Sequence, residues 1–253
     1  MQLTTKLSAA LLLALGSSTA FAAEAVNSEH QISGNIAVLS SYNSRGMTNS
    51  PENDKVTIQG GLDYSHASGF YAGYWGSTIG YSLTDYDDEV GDYTGSDTFE
   101  HDFYLGYNGS INADWGYNLG AVYYYYYESD ADADALESVL GVNYKNLSLT
   151  AQTLWNDVNW GNTGDTYLLA SYSHPLPRDF TLNTSLGVSY YNDDTSKYFD
   201  TTEDFGFRHF TAGLSHPLGN TGADMSVDMI FAGYNRVDDK QKNKVVFGLS
   251  YNF

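Results

Sequence analysis

The last nine residues constrain this chain most. Val245, Phe247, Leu249, Tyr251 and Phe253 are apolar or aromatic at every second position, with Val246, Gly248, Ser250 and Asn252 between them. A period of two that ends on a terminal aromatic fits a strand with one face against lipid. The pattern recurs upstream. Trp115, Tyr117, Leu119, Ala121 and Tyr123 alternate with Gly116, Asn118 and Gly120, and Phe180, Leu182, Leu186 and Val188 alternate with Thr181, Asn183, Ser185 and Gly187. Val56, Ile58, Leu62 and Tyr64 alternate with Thr57, Gln59, Gly61 and Asp63. One such segment says little. Many, each roughly ten residues long, match the ~25 Å apolar band of a membrane-spanning barrel.

Twelve strands are expected, near 31–41, 55–65, 69–78, 99–108, 114–127, 135–144, 147–156, 165–174, 179–191, 206–216, 223–235 and 243–253. Their connections alternate between short turns (66–68, 110–113, 145–146, 175–178, 217–222) and polar, often longer loops (42–54, 79–98, 129–134, 157–164, 192–205, 236–241). The fold class expected is therefore all-β, a transmembrane antiparallel β-barrel of about twelve strands. Short turns lie in the periplasm of a Gram-negative cell, longer loops outside, and an even strand count puts both termini in the periplasm.

The N-terminus reads as an export signal. Lys6 supplies the positive n-region, Leu7 to Gly16 the apolar core, and Ala20-Phe21-Ala22 the small-residue cleavage site. Cleavage is expected after Ala22, with Ala25 as second choice, leaving residues 23–253 as the barrel. The apolar run is shorter than the ~20 residues of a membrane helix.

Composition excludes several classes. There is no cysteine, so no disulfide, thiolate metal site or Cys nucleophile. Eleven Lys+Arg against 31 Asp+Glu give a net charge of −20, which rules against nucleic acid as partner. A mean hydropathy of −0.36 is compatible with a barrel, because every second wall residue faces the lumen. Twenty-three tyrosines suit membrane–water boundaries.

Two stretches carry a family resemblance. Ser40-Ser41-Tyr42-Asn43-Ser44-Arg45-Gly46 resembles the Tyr-x-x-Arg-Gly segment near the start of the TorF family of Gram-negative outer-membrane porins. Gly60 to Tyr64 and Ser68 to Ser77 resemble that family's next hairpin. The likeness extends over the mature chain and is most specific in residues 31–80. It implies an outer-membrane barrel that acts as a channel. Ser41 departs from the acidic residue expected before Tyr42, which turns attention from the loop itself to the wall as the source of a partner for Arg45.

Arg45 is the most informative single residue: a scarce cation beside Gly46, placed to reach into a lumen and pair with a wall carboxylate or to anchor its own loop. By alternation Asp63, Glu100, Asp102, Tyr104, Asn118, Tyr124, Tyr126, Asn183, His209 and Asp228 face inward. Carboxylates on that wall would favour cations. Tyr123, Tyr125 and Tyr127 face outward as an aromatic girdle. Phe247, Leu249, Tyr251 and Phe253 form the C-terminal signal expected to engage the barrel-assembly machinery. Asp130, Asp132 and Asp134 mimic the start of an EF-hand, but Ala135 and Gly141 stand where Gly and Glu are required, so a solvated acidic surface toward lipopolysaccharide is expected instead.

The function expected is passive diffusion of small hydrophilic solutes with a cation bias, without cofactor or metal. A barrel plugged by its own side chains and loops is the first alternative. A barrel hydrolase is the second. His66, His174 and His216 fall at short turns, His30 in the N-terminal tail and His209 on the inward face, while His101, near the strand start after the longest loop, could meet Asp87 or Asp88.

Overall fold

Every alternating segment forms a strand. The computed structural model describes residues 29–49, 55–83, 86–89, 92–95, 98–129, 131–193 and 201–253. The leader 1–22 lies outside them, as do Asp85, Asp130 and Asp194. The strands are β1 (His30–Leu39), β2 (Thr57–His66), β3 (Phe70–Thr78), β4 (Tyr86–Asp87), β5 (Asp92–Tyr93), β6 (Phe99–Ser110), β7 (Trp115–Tyr126), β8 (Ala135–Tyr144), β9 (Leu147–Leu154), β10 (Thr166–Pro175), β11 (Thr181–Tyr190), β12 (Phe205–Pro217), β13 (Ala223–Ala232) and β14 (Lys244–Asn252).

All but β4 and β5 join one closed barrel of twelve antiparallel strands, each hydrogen-bonded to its neighbours in sequence order. β14 returns to β1 to close it, with Ile36 opposite Tyr251 and Leu39 opposite Gly248. Closure leaves no edge, so the backbone polar groups of the wall are paired within it. β4 and β5 form a separate ribbon inside the connection 79–98, which the alternation pattern alone assigns to loop.

The two faces differ as the period of two demands. Phe247 (62 % exposed), Leu249, Val38, Ile58 and Leu140 cover the outside. Facing them inward, Val246, Ala37, Leu39, Thr57 and Val139 are buried. At the short-turn rim Trp115 packs against Tyr144 and Tyr251 against Phe253. At the other rim Tyr123 stacks on Tyr125. These aromatics form girdles at both ends of the apolar band.

One strand breaks the alternation. Between β11 and β12 the register runs Gly187 to His209, then Val188 to Phe207, skipping Arg208. This β-bulge turns Arg208 and His209, consecutive residues, into the barrel, and both are buried. Regular alternation with His209 inside would have pointed Arg208 at lipid, where a charge is costly.

The lumen is not uniform along its axis. Toward the short turns the inward side chains of β9 to β14 are small and polar: Ser148, Ser173, Asn183, Ser185, Ser226 and Ser250, none fully buried, while β3 places the buried Tyr71 there, its hydroxyl accepting from Asn118 at 2.9 Å. Toward the long loops they are tightly packed. Tyr42, Ile79, Leu83 and Ala133 from the loops close on Trp75, Val122, Tyr126 and Val139 of the wall, while Leu39, Ile230, Ala232 and Val246 form a second cluster.

Candidate functional site

The site lies at the long-loop end, where the segment between β1 and β2 folds into the barrel. Ser40 N–H still donates to the Phe247 carbonyl at 2.8 Å, continuing the β1 ladder. The chain then turns inward at Arg45 and Gly46, with φ of 49° and 76°. A non-glycine residue in the left-handed region costs about 1–2 kcal/mol, so the turn needs strong contacts to hold it. Gly46 is required twice over, because a Cβ there would stand 2.7 Å from the Arg208 carbonyl and 2.8 Å from the His209 Cβ. Arg208 Nε donates to the Arg45 carbonyl at 3.2 Å, and its Nη1 donates to the Tyr191 hydroxyl at 2.9 Å and the Tyr234 carbonyl at 2.7 Å. On the far side the amides of Thr48 and Asn49 both donate to Gln241 Oε1 at 3.1 Å.

So pinned, the loop directs Arg45 across the lumen. Its Nη1 and Nη2 donate to Glu137 of β8 at 2.8 and 2.5 Å, a bidentate pair. Nη2 also donates to the Tyr124 hydroxyl of β7 at 3.2 Å and Gln152 Oε1 of β9 at 3.3 Å. The guanidinium carbon stands 5.1 Å from the Tyr167 ring centre on β10, within cation–π range. One loop residue thus ties four consecutive wall strands. Burial works against the guanidinium's charge, yet Glu137 and the Tyr124 hydroxyl outweigh it and hold its pKa well above the usual value.

Tyr42 makes the second tie. Its hydroxyl donates to Glu100 Oε2 of β6 at 3.0 Å, and Tyr126 donates to the same oxygen at 2.7 Å. Asp102, two residues on, is 0 % exposed, and neither carboxylate oxygen has a hydrogen-bond partner among the described residues. A buried carboxylate without partners is costly. Counted together, Glu100, Asp102 and Glu137 set three carboxylates against the guanidiniums of Arg45 and Arg208.

The remaining inward residues fall elsewhere. Tyr104 donates to Asp63 at 2.5 Å with its ring lying over Gly73, where no Cβ would fit. His209 shares a 2.6 Å hydrogen bond with Tyr167, beside the Arg45 turn. Asn183 bridges Ser173 and Ser215 in the short-turn half. Asp228 stands mid-strand on β13, opposite Gly213 and Val246. The alternation thus selects two groups: Arg45, Glu100, Asp102, Tyr124, Tyr126 and His209 converge, with Tyr104 packed in the same cluster as Tyr126, whereas Asp63, Asn183 and Asp228 do not join them. Glu137, Gln152, Tyr42 and Arg208 belong to the site and are missed by sequence reasoning. Glu137 and Gln152 were legible as inward polar residues on alternating strands. Arg208 was not, because of the bulge.

Two histidine expectations change. His101 lies on the outward face, its Nδ1 3.0 Å from the Tyr74 hydroxyl and its ring against Phe99 and Tyr125. His30 is not in a tail but opens β1, directly opposite His66.

A family model described as a bacterial protein of unknown function, Gcw_chp, matches residues 22–253. The chain belongs to the Gcw_chp family. That match does not carry the TorF name, and what the structure shares with the TorF resemblance is the porin-like twelve-stranded outer-membrane barrel. No curated protein matches the chain. Among solved structures, the KdgM porin superposes with a TM-score of 0.56 at 10 % identity, over 87 % of this chain and 99 % of that one. OccAB3 of Acinetobacter baumannii gives 0.44 at 10 % identity, over 89 % of this chain and 65 % of that one. The outer membrane phospholipase A from Escherichia coli gives 0.44 at 15 % identity, over 86 % and 94 %. At this identity the KdgM likeness shows the fold alone, a closed antiparallel β-barrel.

Proposed function

We propose that this Gcw_chp protein is an outer-membrane channel for passive diffusion of small hydrophilic solutes, narrowed at its outer mouth and biased toward cations. One observation carries the reading. On β8 to β14 the inward wall of the short-turn half is built mainly of serine and asparagine, side chains that hold water, and it leads to a charged constriction around Arg45 and Glu137. Solute would exchange part of its hydration for these polar groups, and the excess of carboxylates would set the charge preference. The TorF resemblance of residues 31–80 supports the same role. The leader 1–22 would be removed on export, both termini would face the periplasm, and lipopolysaccharide would surround the long-loop end.

A second reading is favoured by the packing of Tyr42, Ile79 and Leu83 against the wall. On it the mouth is a plug, and the barrel serves as a structural or surface-binding protein. Planar-bilayer recording decides: stable cation-selective steps support the channel, and silence from folded protein supports the plug. A hydrolase role finds little support in His101, which faces outward beside Tyr74.

Phe247, Leu249, Tyr251 and Phe253 are proposed as the signal read by the barrel-assembly machinery. With Phe253→Asp, heat-modifiable protein in the outer-membrane fraction should fall while the periplasmic pool grows. Normal membrane insertion of that variant would remove the proposal.

A further inference from the structure

Of six histidines, four sit at the short-turn rim on the outward face, and two of those four touch. His30 and His66 are cross-strand partners on β1 and β2. The Ala67 amide donates to the Glu29 carbonyl at 2.9 Å, which makes the next pair, His30 and His66, the close-spaced kind with Cα atoms about 4.5 Å apart. Their ring centres are 5.0 Å apart. The chain bends at Glu29, and its carboxylate reaches back to 3.2 Å from His66 Nε2. One donor atom from each of Glu29, His30 and His66 falls within 4.8 Å of the others.

From this geometry we infer a binding site for a late divalent transition metal ion, of the zinc, nickel or copper type, formed by Glu29, His30 and His66. Two imidazoles and one carboxylate are a ligand set for such ions, whereas calcium and magnesium prefer all-oxygen sites. Three protein ligands leave a fourth position for water. Ligand atoms around a tetrahedral ion at 2.0–2.1 Å stand about 3.3 Å apart. Glu29, 70 % exposed, has the rotamer freedom to close the difference. The outer ring nitrogens are already oriented: His30 Nδ1 is 2.8 Å from the Tyr64 hydroxyl, and His66 Nδ1 is 2.7 Å from Ser68 Oγ. These contacts hold the rings in place; His66 Nδ1 also accepts from the Ser68 amide at 3.1 Å, so the His66 proton sits on Nε2 until an ion takes that atom and the proton moves to Nδ1, where Ser68 Oγ can accept it.

The location gives the ion a structural consequence. β14 ends at Asn252, and the carbonyl of the next residue, Phe253, accepts from the Gly34 amide at 2.8 Å. Residues His30 to Ser33 of β1 therefore extend past β14 and are paired on one side only, by β2. An ion bridging His30 to His66 would clamp this overhang beside the barrel seam. The other two rim histidines lack this arrangement: His174 pairs with Tyr172, and His216 packs on Phe180. The inference is independent of whether the lumen conducts.

The test uses the full mature protein, without a polyhistidine tag, folded in detergent and stripped with chelator, then titrated with Cu²⁺ at pH 7.5. Electron paramagnetic resonance should show one equivalent bound with coupling to two imidazole nitrogens. His66→Ala should reduce that to one nitrogen and weaken affinity by about 100-fold or more. Glu29→Gln should weaken it less, and His174→Ala should leave it unchanged. Heat-modifiable migration verifies that each variant is folded. Absence of stoichiometric binding, or a spectrum and affinity unaltered in folded His66→Ala, would overturn the site.

Discussion

The two ends of the lumen are built on opposite principles. At the short-turn end the wall presents Ser173, Asn183, Ser185 and Ser250, partly exposed and bonded chiefly to neighbours on the wall. At the long-loop end β6 to β9 present Glu100, Asp102, Val122, Glu137 and Leu154, all buried, and the loops carrying Tyr42, Leu83, Ala133 and Val158 descend on them. The first end is made to be wet and the second to be packed. Strand geometry is common to both. The difference lies in what the loops bring, and above all in Arg45, which converts a wall carboxylate from an exposed charge into the anchor of an inward loop. A barrel of this kind can be sealed or narrowed at one mouth without any change to its β-ladder.

Four substitutions break or sharpen this contrast. Arg45→Ala has the largest expected effect. It leaves Glu137, 1 % exposed, without its ion pair, and removing one partner of a buried pair costs about 3 kcal/mol or more. The unfolding midpoint in denaturant should fall accordingly, and conductance should rise several-fold as the loop loosens. Gly46→Val comes next. Left-handed backbone alone costs a side chain about 1–2 kcal/mol, and the Arg208 carbonyl leaves no room. The loop should be displaced, so trypsin should cut after Arg45 in intact, folded barrels where the parent resists.

Asp102→Asn should act in the other direction. It removes a buried carboxylate without partners among the described residues, and the unfolding free energy should rise by about 1 kcal/mol. The potassium-to-chloride permeability ratio should fall in the same protein. Ser185→Ala, in the wet half, is the control with the smallest effect: stability within about 0.5 kcal/mol of the parent and unaltered conductance. Were Ser185→Ala to destabilise the barrel as much as Arg45→Ala, the distinction between the two ends would be lost.

The fold was legible because a lipid-facing wall repeats one simple rule. Side chains on successive residues differ in polarity or size, and Trp115 to Tyr123 and Val245 to Phe253 follow it with one exception each, Val122 and Val246. The site was legible only in part. Arg45 stood out because cations are scarce and a glycine follows it. Glu100, Asp102, Tyr124 and Tyr126 followed from strand parity. Their convergence did not, since the parity of one strand carries no information on how far a loop descends into the lumen. Arg208 was hidden for a different reason: the bulge in β12 shifts parity by one, and nothing local in Phe207-Arg208-His209 announces it. His30 was misplaced because β1 starts one residue before the expected boundary, in the polar run Glu29-His30-Gln31 where alternation gives no signal.

The most direct test is single-channel recording of the purified barrel in a planar bilayer under a KCl gradient, with Arg45→Ala beside the parent. A mouth narrowed by Arg45 predicts small cation-selective steps from the parent and larger ones from the variant. Equal conductance from both, anion selectivity, or silence from both folded proteins would contradict it.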